Sequence, residues 1–533
     1  MLLQLENATL RYDSKPLFKD ANLLLNEGDR VGLVGDNGCG KTSLLRCIMG
    51  EERLNSGKIL ISRGVRKIGY VPQTLPTNLG NRVLYDYLLT ALPKEERDYS
   101  YWKVDATLDE LGVPCELRDK KLVHLSGGWQ RFALIAYASL AEPDLLLFDE
   151  PTNYLDLGKI FRLEKWFNEV VKVPYIVVSH DRTFLDNCTK KTIHLRDGKL
   201  IFHNLPYTRS REALLNEDLS AARARQLEEK EIARIRAAAK RIHIWSNGRN
   251  PDMERRSKAI AHTADRLEAK KTEVYIAPKR EISFIQENIR SNILLTVQNI
   301  SVNSPDGKQL FRIPELYIGR GDRVALLGMN GAGKTQLLKM LVRAMNNPVS
   351  DHQAQVALKF NPQVRLGYFD QHMSNIPTNI SVSDYITEIV GSSQDAIKQL
   401  VVAGFPYDKQ RVSIGTLSQG EKARLAFLGL KLGRYNFFIM DEPTNHIDLD
   451  GQEKFEDALI DQAHTCLFVS HDRYMVDNIA TRYLQIENGV LKEISSSDLK
   501  RFYQQIISGQ IEPQKNDESV IKKGRERNRG IEL

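Results

Sequence analysis

An α/β fold in two repeated halves, joined by a long helical segment, follows from three observations in this chain of 533 residues. Short apolar runs of strand length are each followed by a helical pattern. The same five sequence blocks occur twice, in the same order. Between the two sets lies a charged, Ala- and Leu-rich stretch in which none of the blocks occurs.

The repeat comes first, because missing one misassigns the fold. GDNGCGKT (35–42) returns as GMNGAGKT (328–335), and IGYVPQ (68–73) as LGYFDQ (366–371). LSGGWQ (125–130) returns as LSQGEK (417–422), FDEPTNYLDL (148–157) as MDEPTNHIDL (440–449), and VSHDRTFLDN (178–187) as VSHDRYMVDN (469–478). Lys41 and Lys334 are 293 residues apart, Gln73 and Gln371 298, Glu150 and Glu442 292, and His180 and His471 291. That regularity marks a tandem duplication.

Within each half, RVGLVG and RVALLG are apolar runs ending in glycine, the pattern of a buried parallel strand. LLLFDE and FFIMDE form a second such pair, YIVVSH and CLFVSH a third. A helical pattern such as TSLLRCIMG follows the first glycine block. Strands alternating with helices predict a parallel sheet with its ligand at the strands' C-terminal ends.

Composition narrows the class. The chain is 42% hydrophobic, enough for sizeable cores, and its net charge is +7. No run approaches the ~18 apolar residues of a membrane helix. MLLQLENATL lacks a basic region followed by an apolar stretch, so no secretory leader is expected. Five scattered cysteines (Cys39, Cys47, Cys115, Cys188, Cys466) without a CxxC pair fit a reducing cytosol and argue against a disulfide framework or zinc site.

The glycine block between strand and helix has the spacing of a phosphate-binding loop. Its glycines let backbone N–H groups reach phosphate oxygens, and the helix adds its positive end. The loop residues are Gly35, Asp36, Asn37, Gly38, Cys39, Gly40, Lys41, Thr42 and Ser43 in the first half. In the second they are Gly328, Met329, Asn330, Gly331, Ala332, Gly333, Lys334, Thr335 and Gln336. Lys41 and Lys334 reach the β- and γ-phosphates, and Thr42 and Thr335 offer a hydroxyl to Mg²⁺. Asp149 and Asp441 end apolar strands, where a Mg²⁺ ion would be held. Glu150 and Glu442 follow, placed to polarise an attacking water. His180 and His471 end a further strand, where a neutral imidazole can touch the γ-phosphate.

The order of phosphate loop, Gln73 or Gln371, LSGG-like block, Asp-Glu pair and switch His resembles the ATP-binding cassette superfamily over nearly the whole chain. The resemblance implies two P-loop NTPase domains, with ATP sandwiched between the loop of one cassette and the signature of the other. Lys41 would then work with Ser418, Gln419 and Gly420, and Lys334 with Ser126, Gly127 and Gly128. Gln73 and Gln371 would join the Mg²⁺ sphere. EPTN after both Asp-Glu pairs, the tandem layout and the charged linker resemble the ABC-F family, whose members act on ribosomes rather than transport solutes. The tether keeps the cassettes at high effective concentration, so a monomer with an intramolecular cassette dimer is expected.

Three positions depart from the pattern. Tyr12 lies where an aromatic would stack on adenine, whereas SVNSPDGKQ (301–309) has no aromatic. Trp129 stands where the second signature has Glu421, and Tyr154 where the second EPTN has His446. Inequivalent sites and drift at tolerant positions both account for this.

The expected organisation is a first cassette at 1–207, a basic helical-hairpin linker at 208–290, a second cassette at 291–507 and a polar, disordered tail at 508–533. In the linker, LSAARARQLEEKEIARIRAAAKRI (219–242) is built from strong helix formers. Ile260, Ala264 and Leu267 form an apolar stripe. Asn250 is a cap for the second helix, with Pro251 at its first position and Asp252 and Glu254 in its first turn. Two arms of about 30 residues each would reach ~45 Å at ~1.5 Å per residue. Ile232 to Lys258 holds eight basic residues and two acids, nearly all of the chain's excess charge. Arg pairs with phosphate and both Arg and Trp stack on bases. Arg241, Trp245, Arg249, Arg255, Arg256 and Lys258 are therefore candidate RNA contacts. The alternative for Trp245 is a packing knob that closes the turn, and for the charge run a solvated face.

These readings predict a cytoplasmic, Mg²⁺-dependent ATPase whose closing cassettes position the basic hairpin near tRNA or rRNA on the ribosome. It would serve as a translation factor or as an antibiotic-resistance protein. The ATPase subunit of an exporter and a DNA-associated ATPase are the other classes carried.

Overall fold

A computed structural model describes residues 1–12, 15–246, 250–275, 292–346, 357–371, 373, 375–445, 447–461 and 464–507. Arg249, His446, residues 276–291 and the tail 508–533 are among those that lie outside them. The chain forms two compact units, one of Met1–Phe202 with Arg280–Leu533 and one of His203–Lys279.

In the larger unit the two halves carry the same parallel core. In the first, strands run in the order Ile68–Val71, Leu145–Asp149, Tyr175–Val178, Arg30–Gly35, Lys191–Arg196, Lys199–His203. Neighbours from Ile68–Val71 to Lys191–Arg196 pair in parallel. All five residues of Leu145–Asp149 are buried, as are all four of Tyr175–Val178. Such strands must be apolar along their whole length, because helices cover both faces. Trp166, Phe167 and Phe184 supply one cover, with the Phe148 and Phe167 rings 4.7 Å apart.

The second half repeats this order with Leu366–Phe369, Phe437–Asp441, Thr465–Val469, Arg323–Leu327, Arg482–Glu487 and Val490–Ile494. One difference separates them. In the first half the antiparallel strands Leu3–Tyr12, Lys15–Leu25 and Ser56–Ile61 form their own three-stranded sheet. In the second, a parallel pairing of Arg312 with Val490 joins the equivalent strands into a single nine-stranded sheet.

The smaller unit is an antiparallel pair of helices, Tyr207–Ser246 and Pro251–Ala269. Ser257 donates to the Ala239 carbonyl at 2.8 Å, and Arg236 reaches Asp265 and Glu268 at 3.2 and 2.9 Å. Asn250 Oδ1 accepts from the Asp252 and Met253 amides, which with Pro251 starts the second helix. Equal arms do not form: the first has 40 residues and the second 19. The second stops because Thr272 gives its amide and hydroxyl to Glu228 instead of continuing the helical ladder. Ala264 of the expected stripe is buried, whereas Leu267, near the end of the helix, is 40% exposed.

Candidate functional site

Both phosphate loops are built alike. The strand Arg30–Gly35 runs into a loop that ends at Gly40, φ 107°, before the helix Lys41–Met49. The second copy ends at Gly333, φ 100°, before Lys334–Asn346. A side chain at either position would be strained. It would also press on Leu17 in the first loop and on Leu310 and Phe311 in the second. Lys41 Nζ donates to the carbonyls of Gly35 and Asp36 at 2.6 and 3.1 Å. Lys334 does the same to Gly328 and Met329 at 2.8 and 3.2 Å. Each ammonium thus lies in the hollow of its own loop.

The acids follow with the same symmetry. Thr42 donates to Asp149 at 2.7 Å, and Thr335 to Asp441. Burial raises the carboxyl pKa of both Asp149 and Asp441. Asp441 Oδ2 is buried without a hydrogen-bond partner. An orphaned carboxylate oxygen next to a threonine hydroxyl is a donor set that suits a hard cation such as Mg²⁺.

Glu150 and Glu442 leave their strands in the left-handed region, at φ 52° and 49°. Strain of that kind concentrates at functional sites. Here it keeps each amide in the sheet while turning the side chain toward the histidine. Glu150 donates its amide to the Val178 carbonyl and accepts the His180 amide at 3.3 Å. Glu442 donates to Val469 and accepts the His471 amide at 3.1 Å. The imidazole Nε2 atoms lie 3.3 Å from Glu150 Oε1 and 3.5 Å from Glu442 Oε1. Burial pushes Glu150 up to about 7 and Glu442 up to about 8, and pushes both imidazoles down to about 3. All four groups are therefore drawn toward their neutral forms, the ammonium of the nearby lysine adding to this at the histidines.

A cavity of about 1580 Å³ joins the two copies. Its wall takes Tyr12, Asn37, Gly38, Gly40, Lys41, Thr42, Ser43 and Gln73 from the first half. It takes Gly331, Gly333, Lys334, Thr335, Gln336 and Gln371 from the second. Asp149, Glu150, His180, Asp441, Glu442 and His471 line it as well. Ser418, Gln419 and Gly420 reach the same cavity, whereas Ser126, Gly127 and Gly128 do not line it. A Cβ at Gly127 would sit 3.2 Å from Tyr154 Cβ, and one at Gly128 3.0 Å from Lys159 Cδ. That signature is covered by side chains of its own half. Gly35, Asp36, Cys39, Gly328, Met329 and Ala332 complete the loops without lining the large cavity. Tyr12 is half exposed, with its hydroxyl on Ser43 and Glu52. Ser304, Pro305 and Lys308 line the corresponding stretch of the second half.

The signatures also differ at their helix starts. Ser418 and Glu421 cap each other reciprocally, and Glu421 pairs with Lys409. Ser126 makes no side-chain cap, and Trp129 stands where Glu421 closes the reciprocal pair in the second signature. Trp129 carries the Lys159 ammonium over its ring at 4.9 Å.

Several contacts of the site escaped sequence reasoning. Asn37 donates its amide to Asp448 at 3.1 Å, and Asn330 its side chain to Asp156 at 3.1 Å, so each phosphate loop holds the acid after the other half's EPTN. Arg182 forms two hydrogen bonds to Glu456 at 3.0 and 2.5 Å, and Arg473 forms two to Glu164. Both pairs are buried between the halves. Their signal was present, since VSHDR occurs twice and Leu-Glu and Phe-Glu recur at 163–164 and 455–456. Arg131 is buried and donates to the carbonyls of Pro72 and Gln73, fixing the Gln73 turn.

At the hairpin turn, Trp245 is 74% exposed, which removes the packing-knob alternative. Arg241, Arg255 and Arg256 are exposed and form no ion pair among the described residues, whereas Lys258 pairs with Glu254. Arg249 lies outside the described residues. Nearer the base, Arg225, Arg236 and Lys271 all face acids. Among the described residues no helix is long and apolar enough to cross a membrane.

The ABC transporter family matches residues 18–153 and 311–445. ABC transporter F family member 2 of Arabidopsis thaliana is 28% identical, over 92% of this chain and 77% of that protein. ATP-binding protein Uup of Buchnera aphidicola is 28% identical, over 98% and 89%. Among solved structures, RNase-L inhibitor superposes with a TM-score of 0.62 at 19% identity, covering 94% of this chain and 93% of that one. An archaeal ribosome recycling factor, in complex with a ribosomal stalk protein, gives 0.62 at 20% identity, covering 94% and 92%.

Proposed function

Because the chain belongs to the ABC transporter family, as a tandem-cassette ATPase of the F type, we propose that it acts on cytoplasmic ribosomes, using ATP-driven closure of its two cassettes to set the basic hairpin against tRNA or rRNA. The observation that carries this reading is the shared cavity, in which Lys41 of one cassette faces the same space as Ser418 and Gly420 of the other. A nucleotide held there makes contacts that neither cassette offers alone, so ATP stabilises the closed state through its differential affinity for it.

In this reading Lys41 and Lys334 hold the β- and γ-phosphates, and the backbone amides of both loops cradle them. Thr42 with Asp149, and Thr335 with Asp441, would hold Mg²⁺, joined by Gln73 and Gln371. Bound there, the ion neutralises charge developing on the phosphate oxygens. Glu150 and Glu442, with pKa values near neutrality, are suited to take a proton from the attacking water. His180 and His471, kept neutral, donate or accept one hydrogen bond at the γ-phosphate without adding a charge. A single chain supplies both cassettes, so no second copy is required.

Ribosome binding draws support from the exposed Trp245 and from Arg241, Arg255 and Arg256, which form no ion pair among the described residues. A solvated helix face would have its cations interleaved with acids, as they are at Arg236 and Lys271. It is also in keeping with the ribosomal setting of the recycling factor. Within this reading the chain serves as a translation factor or as an antibiotic-resistance protein that dislodges drugs.

The test is the chain carrying Glu150→Gln and Glu442→Gln, sedimented with ribosomes. It should pellet in ATP and stay in the supernatant in ADP. Equal pelleting in both nucleotides, or none in either, removes the ribosomal reading. Co-purification with an integral membrane protein would instead support an exporter subunit.

A further inference from the structure

Lys159 belongs to no motif, yet it connects four parts of the site. It lies in the first turn of the helix Leu157–Glu169, three residues after the cap Asp156. Its amide donates to Asp156 Oδ1 at 2.8 Å, and its ammonium pairs with Asp156 Oδ2. The same Oδ2 accepts Asn330, from the phosphate loop that carries Lys334. The Lys159 stem lies across Gly128 of the first signature, and its ammonium stands over Trp129. Its charge is close enough to His471 to help hold that imidazole in its neutral form. One ammonium from the first cassette is thereby fixed between signature, switch histidine and the opposite phosphate loop.

The duplication supplies the control. The residue three places after Asp448 is Gly451, whose amide caps on Asp448 as Lys159's does on Asp156, but which has no side chain. The second signature has Glu421 in place of Trp129, and that glutamate is used by Ser418 and Lys409. Among the described residues, no lysine takes the corresponding place beside the Lys41 site; the cation that lines the cavity next to the second signature is the guanidinium of Arg424.

We propose that Lys159 is a second phosphate-binding lysine, delivered in trans, that contacts the γ-phosphate of the nucleotide held by Lys334 and makes that site more selective for ATP over ADP than the Lys41 site. An ammonium has three donors. Asp156 takes one and the Trp129 face screens part of the rest, which leaves a donor for an anion arriving between Gly128 and the loop. The side chain is only 14% exposed, so such a contact is made away from bulk water. The stem lies against Gly128, so the proposed contact makes the ammonium part of the signature's anion site.

The proposal rests on the reading of Lys334 as a nucleotide site, and the experiment separates the two. Full-length chains with Lys41→Ala keep only the Lys334 loop, and chains with Lys334→Ala only the other. ATP and ADP affinities are measured by equilibrium dialysis, with and without Lys159→Met or Lys159→Arg. In the Lys41→Ala chain, Lys159→Met should lower ATP affinity about ten-fold while leaving ADP affinity in place, as loss of one charged hydrogen bond does. Lys159→Arg should retain most of the ATP preference, and in the Lys334→Ala chain neither change should matter. An equal loss for ATP and ADP, or the same effect at both sites, assigns Lys159 a structural role and overturns the proposal. If the Lys41→Ala chain binds no nucleotide with Lys159 intact, the reading of Lys334 itself falls, and this inference with it.

Discussion

Glu150 and Glu442 illustrate how a residue is prepared by its surroundings. Each sits in a left-handed conformation, buried, with its carboxyl pKa raised from an ordinary 4.5 to about 7 and about 8. The folded chain therefore holds these two protons to higher pH than the unfolded chain. Stability falls as pH rises through that window, because the folded state binds more protons there. The histidines act oppositely, but only below their ordinary 6.5, since their folded values are about 3. Between pH 6.5 and 8 the glutamates dominate this pair of effects. The nucleotide-free parent should lose melting temperature across that interval more steeply than the Glu150→Gln, Glu442→Gln chain, as read by calorimetry. Raised values at Glu456 and Asp472 are common to both proteins and cancel in the comparison. The buried pairs Arg182–Glu456 and Arg473–Glu164 set the second expectation at this scale. Removing one partner leaves a buried charge uncompensated, so Arg473→Ala should cost about 3–5 kcal/mol of stability in denaturant titration, and the double change with Glu164→Leu much less. Sequence reading found the glutamates because they stand in a repeated motif beside a strand end. It missed the arginine partners because they lie 274 and 309 residues away, and no local period reports such a contact.

At the scale of elements, strands such as Leu145–Asp149 were legible because burial on both faces demands an unbroken apolar run. The phosphate loops were legible because glycine spacing encodes them directly. The hairpin was legible in kind and misjudged in proportion: helix propensity continues past Ala269, and a single tertiary contact from Glu228 to Thr272 stops it. The start of that helix rests on Asn250. Asn250→Ala should cost the second arm about 1 kcal/mol, seen as faster amide exchange through the first turn after Pro251. The covering of the first signature by Tyr154 and Lys159 could not be read from sequence. The departure at Tyr154 was visible and Lys159 carried no signal, and which surface each occupies depends on how the chain turns after Glu150.

For the whole molecule, duplication gives two phosphate loops, and the way they exchange contacts turns two cassettes into one device. Asn37 with Asp448 and Asn330 with Asp156 tie each loop to the opposite half, and the cavity between them takes its wall from both. The excess positive charge belongs to the other unit, the helical pair, between Ile232 and Lys258. The account therefore predicts that nucleotide binding and ribosome attachment are separable in one direction only. Phosphate contacts from Arg241, Arg255 and Arg256 should make attachment salt-sensitive, while ATP binding should not depend on them. The most direct measurement places Arg241→Gln, Arg255→Gln and Arg256→Gln in the Glu150→Gln, Glu442→Gln chain and compares ATP affinity and ATP-dependent ribosome cosedimentation with the parent double variant. The account predicts unchanged ATP affinity with attachment lost or strongly weakened at the same salt. Attachment equal to that of the parent would contradict it and leave the hairpin a spacer.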